Sequence, residues 1–245
     1  MFDTFILLTG PVEAAALSAV VRFRNPALDI VHIETLAQLA ACDEALLARS
    51  RLIGFATGKI VPPHILDRLG YGAYNFHPGS PQYPGWAASS FAVYENAGSF
   101  GATAHVMVEK VDAGPIVGVE LFAIPSNMPL LQVDELALIL LARLFWNLSE
   151  ALTTQPTPLR VLPIAWSGRK RTQRDYRDMC DVPVTLSKEE LDRRIAAFGR
   201  GDYGCDLTVT LHGHKFRYST PVDATPAPQI TAQETPVYEP IAKRA

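Results

Sequence analysis

Apolar runs of strand length alternate with stretches of helical composition through the first half of the chain. Residues 5–10 form an apolar run that ends in glycine, and residues 12–23 have helical composition. Further strands are predicted at residues 29–33 and 51–56, with a helix at residues 36–49 between them. Because strands that alternate with helices form parallel βαβ units, this pattern predicts an α/β fold with a mostly parallel sheet.

The alternation continues to a long helix and then stops. The elements predicted before that helix are a short helix at residues 64–69, a strand at 73–77, a helix at 86–95 and a strand at 102–108. The long helix, at residues 130–152, is expected to carry the chain out of the sheet. Three prolines between residues 156 and 163 are typical of a connector. We therefore predict a catalytic domain over residues 1–154 and a connector over residues 155–185.

Beyond the connector, the pattern predicts a small helix-hairpin module over residues 186–219. Ser187 and Glu190 have the spacing of a capping box, in which the Glu190 side chain reaches back to the start of a helix. Two short strands flank His212-Gly213-His214 and predict a hairpin. Residues 220–245 contain five prolines and few large apolar residues, so we expect a Pro-rich tail that need not pack.

Composition and charge exclude several classes of protein. At 245 residues, 48% hydrophobic and 19% charged, the chain can bury a full core and is neither disordered nor fibrous. The formal charge of -3 gives no overall basic field, so we do not expect a nucleic-acid partner, although a local basic patch would suffice for a tRNA end. Composition therefore favours a small-molecule substrate.

Nothing in the pattern predicts export or a membrane span. The apolar run at residues 5–8 is too short for a signal peptide. The longest apolar stretch, residues 136–142, is far shorter than the roughly 20 residues needed to cross a bilayer. Cys42, Cys180 and Cys205 contain no Cys-x-x-Cys pair. We therefore predict a cytoplasmic protein in which the longest apolar stretch belongs to a buried helix.

The candidate chemistry lies in Asn75-Phe76-His77-Pro78 and in Asp112, which follows His77 by 35 residues. Taken singly, each side chain has an ordinary structural explanation: Asn75 as a turn former, His77 as a strand-end histidine and Asp112 as a solvated turn carboxylate. Together they are an amide, an imidazole and a carboxylate that a folded α/β domain can bring to one place.

The order of these motifs resembles the formyltransferase family that uses 10-formyltetrahydrofolate. The order is Asn-x-His-Pro, a loop rich in proline and glycine, a helix, a strand and then Asp-x-Gly, and the resemblance is strongest over residues 55–117. That family includes glycinamide ribonucleotide, methionyl-tRNA and sugar-nucleotide N-formyltransferases, and formyltetrahydrofolate hydrolase. The resemblance implies a Rossmann-like α/β fold and a small C-terminal helix-hairpin module.

The resemblance also implies roles for particular residues, with Asn75, His77 and Asp112 as the catalytic group. The residues implied to bind 10-formyltetrahydrofolate are Lys59, Ile60, Val61, Val108, Glu109, Lys110 and Val111. The residues implied to contact the substrate are Pro78, Gly79, Ser80, Tyr83 and Trp86. Glu109 is equally explained as an exposed loop charge, and the two aromatic residues as packing groups. No metal is implied.

The chemistry of formyl transfer explains why these residue types are needed. An amine that attacks the formyl carbon creates a tetrahedral centre with a negative oxygen. Asn75 and His77 can donate hydrogen bonds to that oxygen. Asp112 can orient His77 and relay a proton from the amine.

The sequence departs from the family at several points. Ser80-Pro81 stands where the family usually has Leu-Pro, and the loop is one residue shorter. Residues 9–12 lack the glycine-rich phosphate loop of the glycinamide ribonucleotide enzymes, and the chain before Asn75 is about one βα unit short. A purine-pathway role is therefore not expected. Hydrolysis is not favoured, because the regulatory domain that usually precedes the catalytic region in those hydrolases is not expected here.

Two other groups of side chains have an alternative functional interpretation. Arginine and lysine residues between 169 and 177 can meet phosphates or a tRNA end, but the interleaved Asp175, Asp178 and Asp181 favour a solvated, self-neutralising segment. His105, His212 and His214 lie in separate predicted elements, which does not favour a metal site.

We therefore expect a formyltransferase that moves a formyl group from 10-formyltetrahydrofolate to a primary amine of a small molecule, such as a nucleotide-linked amino sugar. The alternatives are a methionyl-tRNA formyltransferase-like enzyme, a formyltetrahydrofolate hydrolase and a non-catalytic protein that binds folate or a nucleotide. The helix at residues 130–152 can be core or interface, so a homodimer is also left open.

Overall fold

The structure, a computed structural model, describes residues 1–219, and its main feature is a six-stranded sheet with helices on both faces. The strand order is β2-β1-β3-β4-β5-β6. The first four strands are parallel, whereas β5 is antiparallel to both β4 and β6. The strands are β1 (Thr4–Leu8), β2 (Asp29–Ile33), β3 (Ser50–Phe55), β4 (Ala73–His77), β5 (Ser99–Val106) and β6 (Ile116–Ala123). The predicted α/β class is confirmed; strand β6 was not predicted.

The helices of the first part of the chain bury opposite faces of this sheet. They are α1 (Pro11–Arg24), α2 (Leu36–Ala40), α3 (Glu44–Ala48), α4 (Pro63–Leu66), α5 (Ala88–Tyr94) and α6 (Leu130–Thr154). Alternate residues of β1 enter different cores, since Phe5 packs with α1 and α6, and Ile6 packs with α2, α3 and α4. The sheet is therefore covered on both sides, as a parallel sheet requires.

The single helix predicted at residues 36–49 is wrong, because the segment forms two short helices. Asp43 begins the second one, and its carboxylate accepts a hydrogen bond of 2.7 Å from the Leu46 N–H. A side chain that satisfies free N–H groups in this way starts a new helix. The apolar pattern continues across the break, which is why it indicated one helix.

Helix α6 packs across the sheet instead of carrying the chain away from it. Its buried side chains, including Leu141, Leu144 and Phe145, join the core formed by β1, β3, β4 and β5. By length and composition alone, the helix is long and apolar enough to cross a membrane. The face that carries Leu141, Leu144 and Phe145 is nevertheless part of the protein core. Of the longest apolar stretch, residues 136–142, Ala137, Leu140 and Leu141 are buried, whereas Leu138 and Ile139 are exposed. The predicted burial therefore holds for one face of the helix only, and the expectation that the helix leaves the sheet was wrong.

A buried arginine joins strand β3 to the end of α6. Arg51 is 0% exposed, and its guanidinium donates to the carbonyls of Tyr71 (2.9 Å), Leu152 (2.6 Å) and Thr157 (3.1 Å). Burial lowers the pKa of Arg51, and the ring of Phe2 lies 4.9 Å from the guanidinium carbon. A cation at the C-terminus of a helix also interacts favourably with the helix dipole. Arg51 therefore holds the last turn of α6 and the chain beyond it against the sheet.

The remaining described residues form helices α7 (Gln173–Cys180) and α8 (Lys188–Phe198) and a second, three-stranded sheet. Its strands are β7 (Asp181–Val182), β8 (Thr208–Leu211) and β9 (His214–Arg217), so the predicted hairpin is present. The predicted domain limits stay predictions, and the predicted Pro-rich tail, residues 220–245, lies outside the described residues.

The capping box predicted for α8 is only half formed. Ser187 accepts the Glu190 N–H at 3.3 Å, as predicted. The Glu190 carboxylate does not return to the helix start; it accepts from Tyr94 at 2.7 Å and from Arg194 at 3.0 Å. Burial opposes ionisation of Glu190, but these donors and Arg193 lower its pKa to about 2. The carboxylate therefore links α8 to Tyr94 of α5. Its charge-assisted hydrogen bonds with the arginines are stronger than the bond to the backbone N–H at the helix start that a capping box would use.

Replacing Arg51 with methionine is expected to lower the free energy of unfolding by about 3 kcal/mol, because three carbonyls, of which that of Leu152 is buried, lose a charged donor. The measurement is urea unfolding followed by circular dichroism. Arg22→Met, at an exposed position of α1, is the control and is expected to change stability by less than about 0.5 kcal/mol. Equal losses in the two variants would contradict the role assigned to Arg51.

Candidate active site

Strand β4 carries two of the candidate side chains, and its neighbour β5 places a histidine beside them. Asn75 and His77 are two residues apart on β4, so both side chains point to the same face of the sheet. The antiparallel register places Asn75 opposite His105 on β5. The Asn75 Nδ2 atom lies 3.2 Å from His105 Nε2. His105, which was considered only as a metal ligand at the level of sequence, therefore belongs to the site.

Asp112 reaches the same place from the loop between β5 and β6. Its carboxylate is buried at 6% exposure, and the Gly85 N–H donates to Oδ2 at 2.8 Å. The other oxygen, Oδ1, lies 3.2 Å from His105 Nε2, and His77 Nδ1 is 3.7 Å from Oδ2. Asp112 has a φ of 45°, a left-handed conformation that is uncommon for a non-glycine residue and frequent at functional sites.

The partners of His77 determine which of its ring nitrogens carries a proton. Nε2 lies 3.1 Å from the Tyr83 carbonyl oxygen, which can only accept, so Nε2 carries a hydrogen. Nδ1 is then the atom that faces Asp112. Gly79 permits this ring position, because a Cβ there would lie 2.3 Å from Nε2.

His105 has two neighbours competing for one nitrogen. Its Nδ1 lies 2.9 Å from the Val106 carbonyl oxygen and must donate to it. Its Nε2 is 3.2 Å from both Asn75 Nδ2, a donor, and Asp112 Oδ1, an acceptor. A neutral His105 accepts from Asn75, and a protonated His105 donates to Asp112. The partner of Nε2 therefore depends on the charge of the ring.

The surroundings of Asp112 favour its ionised form. Burial raises the pKa of a carboxyl group, but the charge of His77, the hydrogen bond and charge of His105 and the Gly85 N–H together outweigh burial. The pKa of Asp112 is lowered to about 2. The carboxylate is thus a fixed negative charge at neutral pH.

A cavity of about 400 Å³ opens in front of these side chains. Asn75, His77, His105 and Asp112 all line it. Six of the seven residues predicted to bind the folate line it too, namely Lys59, Ile60, Val61, Val108, Lys110 and Val111. The seventh, Glu109, is exposed and does not line the cavity. The wall is mostly apolar, and the lysines lie at exposed positions.

Of the residues predicted to contact the substrate, only Trp86 lines this cavity. Pro78, Gly79, Ser80 and Tyr83 do not, and Ser80 and Tyr83 are buried. Burial and the neighbouring Glu95 raise the pKa of the Tyr83 hydroxyl to about 12. Gly79 is fixed by the Thr103 hydroxyl, which donates to its carbonyl oxygen at 2.7 Å. These residues border the site without lining its cavity, and the substrate contacts predicted for them stay predictions.

The predicted connector returns to the site, which the sequence pattern did not indicate. Residues 170–173 line the cavity, and Arg171 forms backbone hydrogen bonds with Trp86 (2.9 Å) and Pro84 (3.0 Å). The Arg171 guanidinium forms an ion pair with Glu95, which lies outside the segment. The predicted pairing within the segment is present between Arg169 and Asp175. The Trp166 ring lies edge-on to the rings of His77 and His105, at 6.0 and 5.1 Å. The sequence feature that signals this return is a tryptophan, Trp166, inside a proline-rich segment.

Within residues 1–219, no group of three or more histidine, cysteine, aspartate and glutamate side chains is arranged to hold a metal ion. His212 and His214 lie at the β8–β9 turn, apart from His105 on β5.

Comparison with known proteins agrees with this fold. Residues 41–129 match the sequence model of the family described as Formyl transferase. A methionyl-tRNA formyltransferase from Listeria welshimeri is 32% identical over 114 residues, which are 46% of this chain and 34% of that protein. The chain thus matches about a third of the length of these curated relatives.

Solved formyltransferases share the fold. A sugar N-formyltransferase from Shewanella sp FDAARGOS_354 has a TM-score of 0.72 at 17% identity, covering 90% of this chain and 98% of that one. A formyltransferase from Anoxybacillus kamchatkensis, in complex with UDP-4,6-dideoxy-4-formamido-L-AltNAc and tetrahydrofolate, has a TM-score of 0.58 at 20% identity, covering 71% and 88%. The matched region of the sequence contains Asn75, His77, His105 and Asp112. The chain therefore contains a region, residues 41–129, that is similar to the formyltransferase family.

Proposed function

We propose that the protein transfers a formyl group from 10-formyltetrahydrofolate to a primary amine of a small molecule. The observation that carries this proposal is the convergence of Asn75, His77 and Asp112 on one cavity. The cavity has the size and apolar wall typical of small-molecule sites. The Trp86 ring and the apolar side chains of Ile60 and Val108 suit the flat pterin, and the exposed lysines suit the carboxylates of the folate tail.

The proposed reaction begins when the neutral amine attacks the formyl carbon. A new C–N bond forms, and the carbonyl oxygen becomes negative. The Asn75 amide and the Nδ1–H of a protonated His77 are the donors available to that oxygen, because His77 Nε2 is occupied by Tyr83. When the tetrahedral centre collapses, the bond to the folate nitrogen breaks, the amine nitrogen loses one proton and the folate nitrogen gains one. Tetrahydrofolate leaves.

Asp112 and His105 support this chemistry in different ways. With a pKa of about 2, Asp112 is a weak base, so its proposed role is to stabilise the protonated imidazole and pass a proton through it. His105 binds the Asn75 amide when it is neutral and binds Asp112 when it is protonated. We propose that this exchange positions Asn75, which makes His105 a positioning residue.

The acceptor proposed here is an amine linked to a nucleotide, such as an amino sugar. The Anoxybacillus neighbour holds a formamido sugar nucleotide together with tetrahydrofolate, which supports this class. A second candidate, formylation of methionyl-tRNA, is favoured by the identity with the Listeria enzyme. The two differ in salt dependence, because tRNA binding releases many counterions and weakens steeply as salt rises.

His77→Ala and Asp112→Asn are each expected to lower kcat at least about 100-fold, because His77 is the proposed donor to the reacting oxygen and Asp112 holds its imidazole in place. The measurement is tetrahydrofolate release from 10-formyltetrahydrofolate with a panel of amino-sugar nucleotides, charged initiator tRNA and a no-acceptor control. Asp67→Asn, an exposed carboxylate after α4, is the control and should keep the wild-type rate. Release without any acceptor would indicate a hydrolase, and near-normal rates in both variants would refute the mechanism.

Gly79→Ala is expected to lower kcat at least about 10-fold with a smaller effect on the KM for the folate, because the new methyl group would displace the His77 ring. Gly98→Ala is the matched control, since Gly98 is exposed and a Cβ there would meet nothing within 4 Å. Steady-state kinetics with both variants make the comparison. If Gly79→Ala has wild-type kinetics, the ring position is not set by this contact.

The low pKa of Asp112 predicts a change of stability with pH. Because the pKa falls from 3.8 in the unfolded chain to about 2 in the folded one, ionised Asp112 stabilises the protein by about 2 kcal/mol above pH 4. This contribution is lost as pH falls from about 4 towards 2. Asp112→Asn should therefore be less stable than wild type at pH 7, with a smaller difference at pH 3. Urea unfolding at both values tests this, and a constant difference would contradict it.

A further inference from the structure

The outer face of α6, the one turned away from the sheet, is mostly apolar and exposed. Six exposed side chains at helical spacing form it, namely Leu131, Glu135, Leu138, Ile139, Ala142 and Trp146. Four of them are large and apolar, and each of those four is between 44% and 60% exposed. A helix that is apolar on both faces is normally covered on both, and a contiguous exposed apolar patch marks an interaction site. The outer face of α6 therefore has the character of a surface that binds a partner.

Helix α1 extends the outer face on one side. Phe23 is 70% exposed, and its ring stacks on the Trp146 ring with the centroids 5.8 Å apart. The Arg24 guanidinium lies 4.5 Å from the centre of the Trp146 ring and donates to the Ser149 hydroxyl at 3.1 Å. These contacts hold the two helices in one layer, with large aromatic groups at its surface.

The outer face is separate from the active site. No residue of α6 lines the cavity in front of Asn75 and Asp112. The inner face of α6 packs on the sheet, so the helix stands between the sheet and the outer face. A partner on the outer face would leave the cavity open, and its binding is independent of the reaction proposed above.

The six side chains of the outer face are spaced symmetrically along the helix. Successive members are separated by four, three, one, three and four residues, which is the same order in both directions. In an antiparallel pair of α6 helices centred between residues 138 and 139, each of the six therefore faces another of the six. The facing pairs are Leu131 with Trp146, Glu135 with Ala142 and Leu138 with Ile139. A surface that matches itself in this way is what a two-fold dimer requires.

The charges of α6 do not suit a lipid surface. The helix carries three acids, Asp134, Glu135 and Glu150, and a single base, Arg143. Helices that lie on a membrane surface are rich in lysine and arginine on their polar face. A protein partner fits the outer face better.

The one acid of the outer face meets a base in a second copy of the chain. Among the ion pairs within residues 1–219, Arg143 pairs with Glu120, but none involves Glu135. In the antiparallel pair, Glu135 of one copy faces Ala142 of the other, so Arg143 of that copy lies beside it. The small Ala142 side chain leaves room for the Glu135 stem. A guanidinium has five N–H donors and can bind both carboxylates.

We propose that the outer face of α6 binds a second copy of this chain and forms a two-fold dimer of antiparallel helices. The 25 residues of α6 make a helix about 37 Å long, so the contact runs well beyond its centre. The Ile139 side chains lie at the two-fold axis. Near each end, Leu131 of one copy packs on Trp146 and Phe23 of the other, and such aromatic anchors contribute most of the binding energy of an interface.

Sedimentation velocity of the full chain over a concentration series tests the dimer. The wild type should form dimers that dissociate on dilution. Ile139→Glu should raise the dimer dissociation constant at least about 100-fold, because it brings two carboxylates together at the axis. Val184→Glu is the matched control, since Val184 is 61% exposed, Ile139 is 60% exposed, and Val184 lies outside the outer face. Circular dichroism checks that both variants fold.

Mixtures of charge variants test the antiparallel arrangement. Ile139→Glu and Ile139→Lys should each be monomeric alone and should form heterodimers when mixed, which native mass spectrometry identifies. Leu131→Glu should likewise pair with Trp146→Lys. Leu131→Glu mixed with Leu131→Lys should not pair, because the two copies of position 131 are about 22 Å apart along the helices.

Several results would overturn the proposal. A wild type that is monomeric at every concentration would do so, and equal losses in Ile139→Glu and Val184→Glu would remove the role of the outer face. Pairing of the two position-131 variants would indicate parallel helices. A wild type that stays monomeric alone but sediments with phosphatidylglycerol vesicles would indicate a lipid partner in place of a second copy.

Discussion

The site depends on one buried carboxylate. Asp112 is bound by the Gly85 N–H and lies between His105 on β5 and His77 on β4. A buried charge is costly unless its lone pairs are satisfied, so three segments distant in sequence must keep their positions for Asp112 to remain ionised. The left-handed backbone of Asp112 and the positive φ of Gly85 are part of the same arrangement. The low pKa of Asp112 is the electrostatic consequence of this arrangement.

The return of the connector is the second condition for a complete site. Arg51 holds the end of α6, and the chain beyond it then runs back along β6, where the Leu162 N–H donates to the Ile116 carbonyl at 2.8 Å. It continues past the loop at residues 81–86, with backbone hydrogen bonds at Ser167 and Arg171. Trp166 and Lys170 reach the catalytic groups in this way. A segment with the composition of a linker is thus one wall of the site.

Local sequence was enough for most strands of the sheet, and the resemblance to a known family pointed to Asn75, His77 and Asp112, which the fold brings to one cavity. Strand patterns and turn residues are local signals, and the spacing of these three side chains follows the order of the elements that carry them. The same local signals indicated one helix where Asp43 starts a second. The resemblance implied substrate contacts at Ser80 and Tyr83, and only the fold shows that both residues are buried.

Only the tertiary structure decided that His105, Trp166 and Lys170 join the site. His105 meets Asn75 because β5 pairs antiparallel with β4 in one register, and a strand pattern does not state its partner or its direction. Trp166 meets the two histidines because Arg51 and the backbone of β6 direct the connector back to the sheet. The sequence by itself determined which residues can do the chemistry, and long-range packing determined which of them meet.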